Sequence, residues 1–396
     1  MGIELNSGQL FCSIDIENWW HNSTRQVYEI SGPAGSGKTT MILYAIDKLG
    51  IELENVAFLA YMGKAVTQMM RNKLPARTIH SFIYRYVKVP VRDENGNIVR
   101  KPNGKTKMKG EFQLVDQLPE NIELIVIDEG SMVSEKIAMD ILSFGKPVIV
   151  LGDLNQLPPV FGKPFFLQEP DYILTEIMRQ NEGNPIIWLS QRILNKEKMI
   201  PGVYGNSAVI EKSDLTDYAL KHANIILTGT NKLRYMINVK FREEIFAYKN
   251  LDVPHYGEKI ICRKNNWNRC IGNGYYLTNG MTGFVDYVDR ESYNKKSISI
   301  DFRPDFLKSS YKNVKVDYDH LYSSPTAEMD LDEESFYDFT LDKFEWANAI
   351  TVHSSQGSQW DNVLYLDERM GGNEDFHKKL MYTAVTRAVN SITFCI

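Results

Sequence analysis

The chain has 396 residues, of which 43% are hydrophobic and 24% are charged. This composition is typical of a globular protein with more than one domain, and it excludes wholesale disorder. The formal net charge of −5 excludes a histone-like nucleic-acid binder. It leaves a groove-shaped binder open, because eight basic and only two acidic residues lie between Arg85 and Lys109.

Short apolar strands alternate with helical segments over the first 150 residues. The predicted strands are VYEI at 27–30, VAFLA at 56–60, ELIVIDE at 123–129 and KPVIVLGD at 146–153. Continuous apolar strands that alternate with helices predict a parallel sheet covered on both faces. The same theme returns at 224–245 and at 350–367. The predicted fold class is therefore α/β, with two such units in tandem.

Two segments interrupt this pattern. Within residues 85–115, the β-like runs VKVPVR and NIVRK flank an Asn-Gly turn at 95–96, which predicts a β-hairpin. Residues 263–345 carry alternating runs separated by turn residues, which predicts a small antiparallel β unit inserted in the second α/β unit. We expect no short-period repeat.

Cysteine usage and the absence of a membrane-type segment bear on the compartment. Cys12, Cys262, Cys270 and Cys395 form no C-x-x-C pair, so we expect free thiols in a reducing environment. The first ten residues lack the pattern of a signal peptide. No apolar run is long enough to span a membrane. These features together predict a cytoplasmic protein.

Residues 32–39 read GPAGSGKT, a complete G-x-x-x-x-G-K-T loop between a predicted strand and a predicted helix. Glycines at these positions let backbone N–H groups approach phosphate oxygens, and the start of the helix adds positive potential. Lys38 would reach the β- and γ-phosphates, and the Thr39 hydroxyl would bind Mg²⁺. The loop therefore predicts an NTP site.

The predicted strand at 123–129 ends in Asp128 and Glu129. In an NTPase with such a loop, the first acid holds Mg²⁺ and the second polarises the attacking water. We expect Asp128 and Glu129 to act in this way.

The fourth strand leads into Gly152-Asp-Leu-Asn-Gln-Leu-Pro-Pro-Val160. With this motif the chain resembles the superfamily 1B DNA helicases of the RecD/Dda type, in which G-D-x-x-Q-L-P-P-V is a hallmark. The resemblance implies that Gln156 senses the γ-phosphate. Other segments match in order, including YMGKA at 61–65, ARTIHS at 76–81, TNK at 230–232, TVHSSQGS at 351–358 and YTAVTRA at 382–388.

The resemblance implies roles for individual residues. Arg179 and Arg387 would stabilise the transferring phosphoryl group from the second unit, beside the catalytic Lys38, Asp128, Glu129 and Gln156. Gln9 would read adenine, and the other expected nucleotide-binding residues are Gly35, Ser36, Gly37, Lys38, Thr39, Thr40 and Gly357. The expected strand-binding residues are Lys64, Thr78, His80, Asn231, Thr351 and His353, with Val91 and Ile98 on the hairpin.

The domain organisation expected from the resemblance is two RecA-like P-loop domains. Residues 1–84 and 116–165 would form the first, with a hairpin insert at 85–115 acting as a strand-separating pin. Residues 166–262 and 346–396 would form the second, with an SH3-like insert at 263–345. Gly130 stands where the family commonly has alanine, and Gln359 where it has glutamate.

The expected function is an ATP- and Mg²⁺-dependent DNA helicase that moves 5′→3′ on single-stranded DNA and unwinds duplexes. Expected partners are single-stranded and forked DNA and a replication or single-strand-binding protein, with the helicase working as a monomer in a bacterial or phage-infected cell. Two alternatives stay open. One is a translocase that displaces bound proteins without unwinding, and the other is an NTP-gated DNA-binding scaffold.

Overall fold

A computed structural model describes residues 5–100, 103–158, 163–176, 184–271, 275–294, 296–323, 341–368 and 373–396. The predicted Arg179 lies outside these residues, as do parts of the predicted β insert. Within the described part of the chain, no helix is long and apolar enough to cross a membrane.

The first α/β unit is built around a six-stranded sheet in the order β3-β2-β6-β7-β1-β8. All pairs in this sheet are parallel, which confirms the predicted sheet type. The strands up to residue 176 are β1 (Val27–Ser31), β2 (Val56–Ala60), β3 (Ala76–Thr78), β4 (Tyr84–Pro90), β5 (Met108–Leu114), β6 (Leu124–Asp128), β7 (Val148–Gly152) and β8 (Tyr172–Ile173). The helices are α1 (Ser7–Asn22), α2 (Lys38–Lys48), α3 (Gly63–Arg71), α4 (Ile79–Ile83) and α5 (Glu135–Leu142).

Strands β2 and β7 are buried at every position because helices pack on both faces of the sheet. One apolar core includes Ile30, Phe58 and Val126. A second core includes Leu59, Ile127 and Val150. The continuous apolar character of these strands follows from this double burial.

A two-stranded ribbon projects from this unit. Strands β4 and β5 pair in antiparallel fashion from Tyr84↔Leu114 to Pro90↔Met108. The predicted turn forms, since Asp93 N donates to Asn97 O at 2.9 Å. Among the described residues, the runs predicted to pair around it meet in the isolated bridge Arg92↔Ile98 and the bond from Val99 N to Val91 O, without a continuous ladder. The ribbon is longer than predicted, because β4 pairs with a strand beyond a second turn.

The second α/β unit has a six-stranded sheet in the order β19-β11-β20-β21-β10-β9. Its pairs are parallel except for β9 against β10. Its strands are β9 (Gly202–Tyr204), β10 (Ser207–Ile210), β11 (Ile225–Thr228), β19 (Ala349–Thr351), β20 (Trp360–Leu366) and β21 (Ala388–Cys395). Its helices are α6 (Pro185–Leu194), α7 (Asp217–His222), α8 (Asn231–Lys240), α10 (Val352–Ser355) and α11 (Glu374–Val385).

The β insert forms a five-stranded antiparallel sheet in the order β17-β16-β15-β12-β18. Its first strand begins at Lys259, before the predicted start of the insert at 263. The elements are β12 (Lys259–Cys262), β15 (Thr282–Asp289), β16 (Ser297–Pro304), β17 (Tyr311–Asp317), α9 (Tyr318–Tyr322) and β18 (Phe344–Trp346), with the separate pair β13 (Asn266–Ile271) and β14 (Tyr275–Leu277).

Candidate active site

The phosphate loop joins β1 to α2. Gly35 and Gly37 have φ angles of 85° and 76°, a left-handed conformation that favours glycine. Gly37 directly precedes the first residue of α2, so the free N–H groups of the helix start open onto the loop. The Lys38 ammonium donates to the carbonyl oxygens of Gly32 at 2.6 Å and Pro33 at 3.0 Å. The backbone N–H groups and the Lys38 ammonium therefore lie close together, an arrangement that suits a bound anion such as phosphate.

Gln9 holds the N-terminal helix against this loop. Its Nε2 donates to the Ser36 carbonyl oxygen at 2.9 Å, and its Oε1 accepts from the Asn6 backbone N–H at 3.0 Å. The second bond is half of a capping box that starts α1. Gln9 is 2% exposed. The structure therefore places the predicted adenine reader beside the phosphate loop, with both polar ends of its side chain bonded to protein.

The two acids follow β6 as predicted. The Glu129 N–H donates to Asp128 Oδ1 at 2.9 Å, and Glu129 has a φ of 53°. A non-glycine residue in this region is strained by about 1–3 kcal/mol, and such strain clusters at functional sites. Burial raises the pKa of Asp128. It also raises the pKa of Glu129, with Asp128 adding to the rise and Arg387 and Lys38 opposing it.

Packing explains why glycine stands at position 130. A Cβ built on Gly130 would lie 2.2 Å from Val150 Cγ1, on the neighbouring strand β7. The alanine that the resembled family commonly has at this position would therefore collide with Val150.

Gly130→Ala is expected to destabilise the fold by about 1–3 kcal/mol, because β7 must shift to relieve the contact. Denaturant unfolding would measure this. Gly8→Ala is the control, since its Cβ would meet only Asn6 Oδ1, at 3.6 Å, and alanine favours the helix. Equal stability of the two variants would contradict the packing argument.

Gln156 lies in the loop after β7 and lines the cavity onto which the phosphate loop also opens. Its side chain is 4% exposed, and Nε2 lies 3.5 Å from Asp153 Oδ2. Its Oε1 is buried and has no hydrogen-bond partner among the described residues. The oxygen is thus placed where an ordered water or a ligand hydroxyl could donate to it.

Arg387 reaches the site from the second unit. It lies between α11 and β21, is 2% exposed, and donates to the carbonyl oxygens of Thr383 and Ser358 at 3.1 and 3.3 Å. Burial lowers the pKa of its guanidinium, whereas Glu129 and Asp153 raise it. The arginine of one unit therefore lies in the electrostatic field of Glu129 of the other.

These groups line one cavity of about 940 Å³ between the units. Its walls include most of the residues predicted for nucleotide binding and catalysis: Gly35, Gly37, Lys38, Thr39, Thr40, Asp128, Glu129, Gln156, Gly357 and Arg387. Ser36 is 1% exposed, and its Oγ has no partner among the described residues. Gln9 contacts the loop through its bond to the Ser36 carbonyl oxygen.

Contacts that the sequence did not predict join the loop after β7 to helix α11. Tyr382 Oη donates to Asp153 Oδ2 at 2.9 Å, and Leu157 N donates to Thr383 Oγ1 at 3.0 Å. Leu157 is fully buried and packs in the core of the second unit. Gln356 Nε2 donates to the Leu157 carbonyl oxygen at 2.9 Å. Tyr382 and Thr383 belong to the YTAVTRA segment at 382–388, in which a role was expected only for Arg387. Their place in that motif was the sequence signal that could have indicated a function for them.

Tyr382→Phe is expected to lower strand-stimulated ATP turnover about tenfold, because a hydrogen bond to a buried carboxylate contributes about 1.5–3 kcal/mol. Steady-state ATPase assays with and without single-stranded DNA would measure this. Tyr365→Phe is the matched control, since it removes a buried bond of 2.9 Å to Asp367 within the second unit. If both variants lose turnover equally, the bond to Asp153 has no special part in coupling the units.

Two of the predicted strand-binding residues, Thr78 and Thr351, have the same local structure. Thr78 caps α4 by accepting from Ser81 N at 3.2 Å, and Thr351 caps α10 by accepting from Ser354 N at 3.3 Å. Each cap is followed by a histidine. His80 packs against the rings of Tyr61, Tyr84 and Phe112, and His353 stacks on Phe376.

Burial lowers the pKa of both His80 and His353. Both imidazoles are therefore neutral at pH 7 and would act as hydrogen-bonding groups rather than as cations. Asn231 opens α8, and its Oδ1 accepts from Arg234 Nε at 3.1 Å.

Lys64, another predicted strand-binding residue, lies on α3 beside the β insert. Its amine is buried, has no hydrogen-bond partner among the described residues, and lies 5.1 Å from the Trp360 ring centroid. A Cβ on Gly280 of the β insert would lie 3.2 Å from Lys64 Cδ. Burial lowers the pKa of Lys64 to about 7. The strand contact predicted for Lys64 would therefore require the insert to move away from α3.

Val91 and Ile98 lie at the far end of the ribbon. Val91 is half-buried, whereas Ile98 is 44% exposed. Among the described residues 91–100 and 103–107, Ile98 is the one large apolar side chain that is exposed.

Two family models match the chain: an AAA domain over residues 18–162 and a UvrD-like helicase C-terminal domain over residues 347–391. The first match contains the phosphate loop, the acids and Gln156, and the second contains Thr351, His353 and Arg387. Over the second of these stretches the chain is similar to UvrD-like helicases. This finding confirms the resemblance recognised from the sequence motifs.

Three relatives extend the likeness beyond the matched domains. An uncharacterised protein of Methanocaldococcus jannaschii is 27% identical over 91% of this chain, and the ATP-dependent RecD2 DNA helicase of Deinococcus radiodurans is 26% identical over 68%. The chain spans 36% of the length of each. The ATP-dependent DNA helicase Pif1 of Campylobacter jejuni is 25% identical, over 93% of this chain and 88% of its own length.

The fold is also found in solved structures. A Bacteroides Pif1 bound to single-stranded DNA superposes with a TM-score of 0.55 and 19% identity, over 99% of this chain and 92% of that one. The likeness supports the two-unit RecA-like fold.

Proposed function

We propose that this protein is an ATP-dependent DNA helicase that moves 5′→3′ on single-stranded DNA and unwinds duplexes. One observation carries the proposal. The phosphate loop and the two acids of the first unit share one cavity with Arg387 of the second unit. A nucleotide in that cavity would bind both units at once, so each cycle of binding and hydrolysis would close and open them.

The residues around the loop fit a nucleoside triphosphate with Mg²⁺. The helix start and two left-handed glycines suit phosphate oxygens. The buried Ser36 Oγ and Gln156 Oε1, which have no partner among the described residues, are free to bond a ligand or its water. Thr39 and Asp128 would hold Mg²⁺ with hydroxyl and carboxylate oxygens. The ion would neutralise charge on the β- and γ-phosphates.

The neighbours of Glu129 couple its basicity to closure of the units. Glu129 must be ionised to polarise water, but burial and Asp128 raise its pKa and favour the protonated form. Lys38 and Arg387 lower that pKa. Since Arg387 comes from the second unit, closure increases the ionised fraction of Glu129 at a given pH. The same arginine would stabilise the charge on the transferring phosphoryl group.

The matching caps at Thr78–Ser81 and Thr351–Ser354 supply one strand contact on each unit. Hydroxyl and imidazole groups at helix starts suit backbone phosphates and read no base sequence. Asn231 would add a third contact. Alternate closing and opening would then move the protein along one strand. The direction of this movement rests on the resemblance to the RecD/Dda type.

ATP turnover measured with and without single-stranded DNA separates the helicase from the scaffold. We expect strong stimulation by the strand, because the units it crosses also form the ATP site. A protein that binds DNA and ATP but turns over slowly in both conditions would be a scaffold. Release of a protein block from a single strand without duplex unwinding would identify a translocase.

A further inference from the structure

The far end of the ribbon is a tandem repeat that the sequence analysis did not predict. Residues 91–98 read VRDENGNI and residues 99–106 read VRKPNGKT. Valine, arginine, asparagine and glycine recur eight residues apart, at 91/99, 92/100, 95/103 and 96/104. The expectation of no short-period repeat was therefore wrong for this segment.

The two copies also share a backbone structure. Bridges form at Arg92↔Ile98 and Arg100↔Thr106, again eight residues apart. Each copy has its glycine in the left-handed region, with φ of 82° at Gly96 and 78° at Gly104.

Each copy closes its turn with an arginine. Arg92 donates to the Gly96 carbonyl oxygen at 2.7 Å, and Arg100 donates to that of Gly104 at 3.2 Å. Residues 91–98 and 99–106 are called the first and second turns below.

A ring of backbone hydrogen bonds holds the turns together. Val91 N donates to Lys107 O, Lys107 N to Val99 O, and Val99 N to Val91 O, each at 2.8 Å. The chain thus returns to the same place every eight residues. The ring fixes the two turns relative to each other and to the end of β4–β5.

The turns differ in charge and in the side chains they expose. The sequence of the first has one basic and two acidic residues, and that of the second has three basic and no acidic residues. The first exposes Ile98, whereas Thr106 at the matching position is half-buried. Asn97 in the first turn matches Lys105 in the second, and both are exposed. No described residue forms an ion pair with Arg100 or Lys105.

We infer that the second turn, through Arg100 and Lys105, binds the phosphate backbone of duplex DNA ahead of the junction. This rests on the proposed helicase function. The described residues of this turn offer cationic groups and no exposed apolar or aromatic side chain, which suits phosphates and not bases. Single-strand sites commonly add aromatic stacking. The acids of the first turn repel phosphate, so the duplex backbone would lie against the second turn.

The exchange variant Asn97→Lys/Lys105→Asn tests this directly, because it leaves composition and net charge unchanged. In the full chain, without ATP, we expect its affinity for a blunt duplex to fall roughly fivefold at low salt. The slope of log K against log salt should become shallower by about 0.9, the value for one phosphate contact. Lys placed at 97 should not compensate, since Asp93 and Glu94 lie in the same turn. The measurement is fluorescence anisotropy of a labelled duplex over a salt series.

Two controls keep this test separate from the proposed function. Single-strand affinity and strand-stimulated ATP turnover should stay within about twofold of the parent. Parental duplex affinity in the exchange variant would overturn the inference, because net charge alone would then explain binding. An equal loss of single-strand affinity would also overturn it, since the turn would then contact the strand. If the parent shows no strand-stimulated ATP turnover, the helicase proposal fails, whereas the duplex measurement still reports on the turn.

Discussion

Replacing Arg387 by alanine is expected to lower ATP turnover by at least about 10²-fold while nucleotide binding persists. Guanidinium groups that reach a transferring phosphoryl group from another unit contribute about 10³–10⁵ in rate. In this protein the same group also lowers the pKa of Glu129, the proposed water-activating residue. The loss should therefore appear in kcat more than in KM.

Single-turnover ATP hydrolysis and binding of a fluorescent ATP analogue would measure these two effects. Arg71→Ala is the control, because Arg71 lines the same cavity but belongs to the first unit and lies near Phe306. Near-normal kcat in the Arg387 variant would show that the arginine across the cleft is assigned wrongly. A large loss of kcat in both variants would show that turnover depends on the positive charge in the cavity generally and not on Arg387 in particular.

Excising the far end of the ribbon should abolish unwinding while single-strand-stimulated ATP turnover stays within about twofold. Pro90 and Met108 are the last paired residues of β4 and β5, so an Asn-Gly turn can join them in place of residues 91–107. The remaining strands would still be about 23 Å long at 3.3 Å per residue. Residues 91–107 must be removed together, because Val91, Val99 and Lys107 form one hydrogen-bonded ring.

Single-turnover unwinding of a fork at saturating protein is the measurement that distinguishes a separating element from a loading aid. If the ribbon only helps loading, a high protein concentration should restore the parental rate. If the excised protein unwinds at that rate under all conditions, strand separation comes from another element, and the β insert is the next candidate.

Much of the fold could be predicted from local sequence. Strands such as β2 and β7 are buried on both faces, so their apolar runs were sufficient to identify them. The phosphate loop and the two acids are short contiguous motifs whose geometry is set by glycine and by the ends of strands. They lie together because parallel strands end at the same edge of the sheet.

Features that depend on long-range packing could not be predicted. Tyr382 bonds Asp153 across 229 positions of the chain. The amine of Lys64 is buried, and Gly280 of the insert lies close to its side chain, a contact between distant segments that no local pattern predicts. The tandem turns are difficult to predict because their matching positions 93 and 101 carry opposite charges. Their relation appears in the backbone ring and the paired bridges.

The most direct test of the account is ATP-dependent unwinding of two matched DNA substrates, one with a 5′ single-stranded overhang and one with a 3′ overhang. Lys38→Ala serves as the hydrolysis-deficient control, because its amine is the cation of the phosphate loop. We predict rapid unwinding of the 5′ substrate, little of the 3′ substrate and none with the control. Failure to unwind either substrate despite strand-stimulated ATP turnover, or preference for the 3′ overhang, would contradict a 5′→3′ helicase.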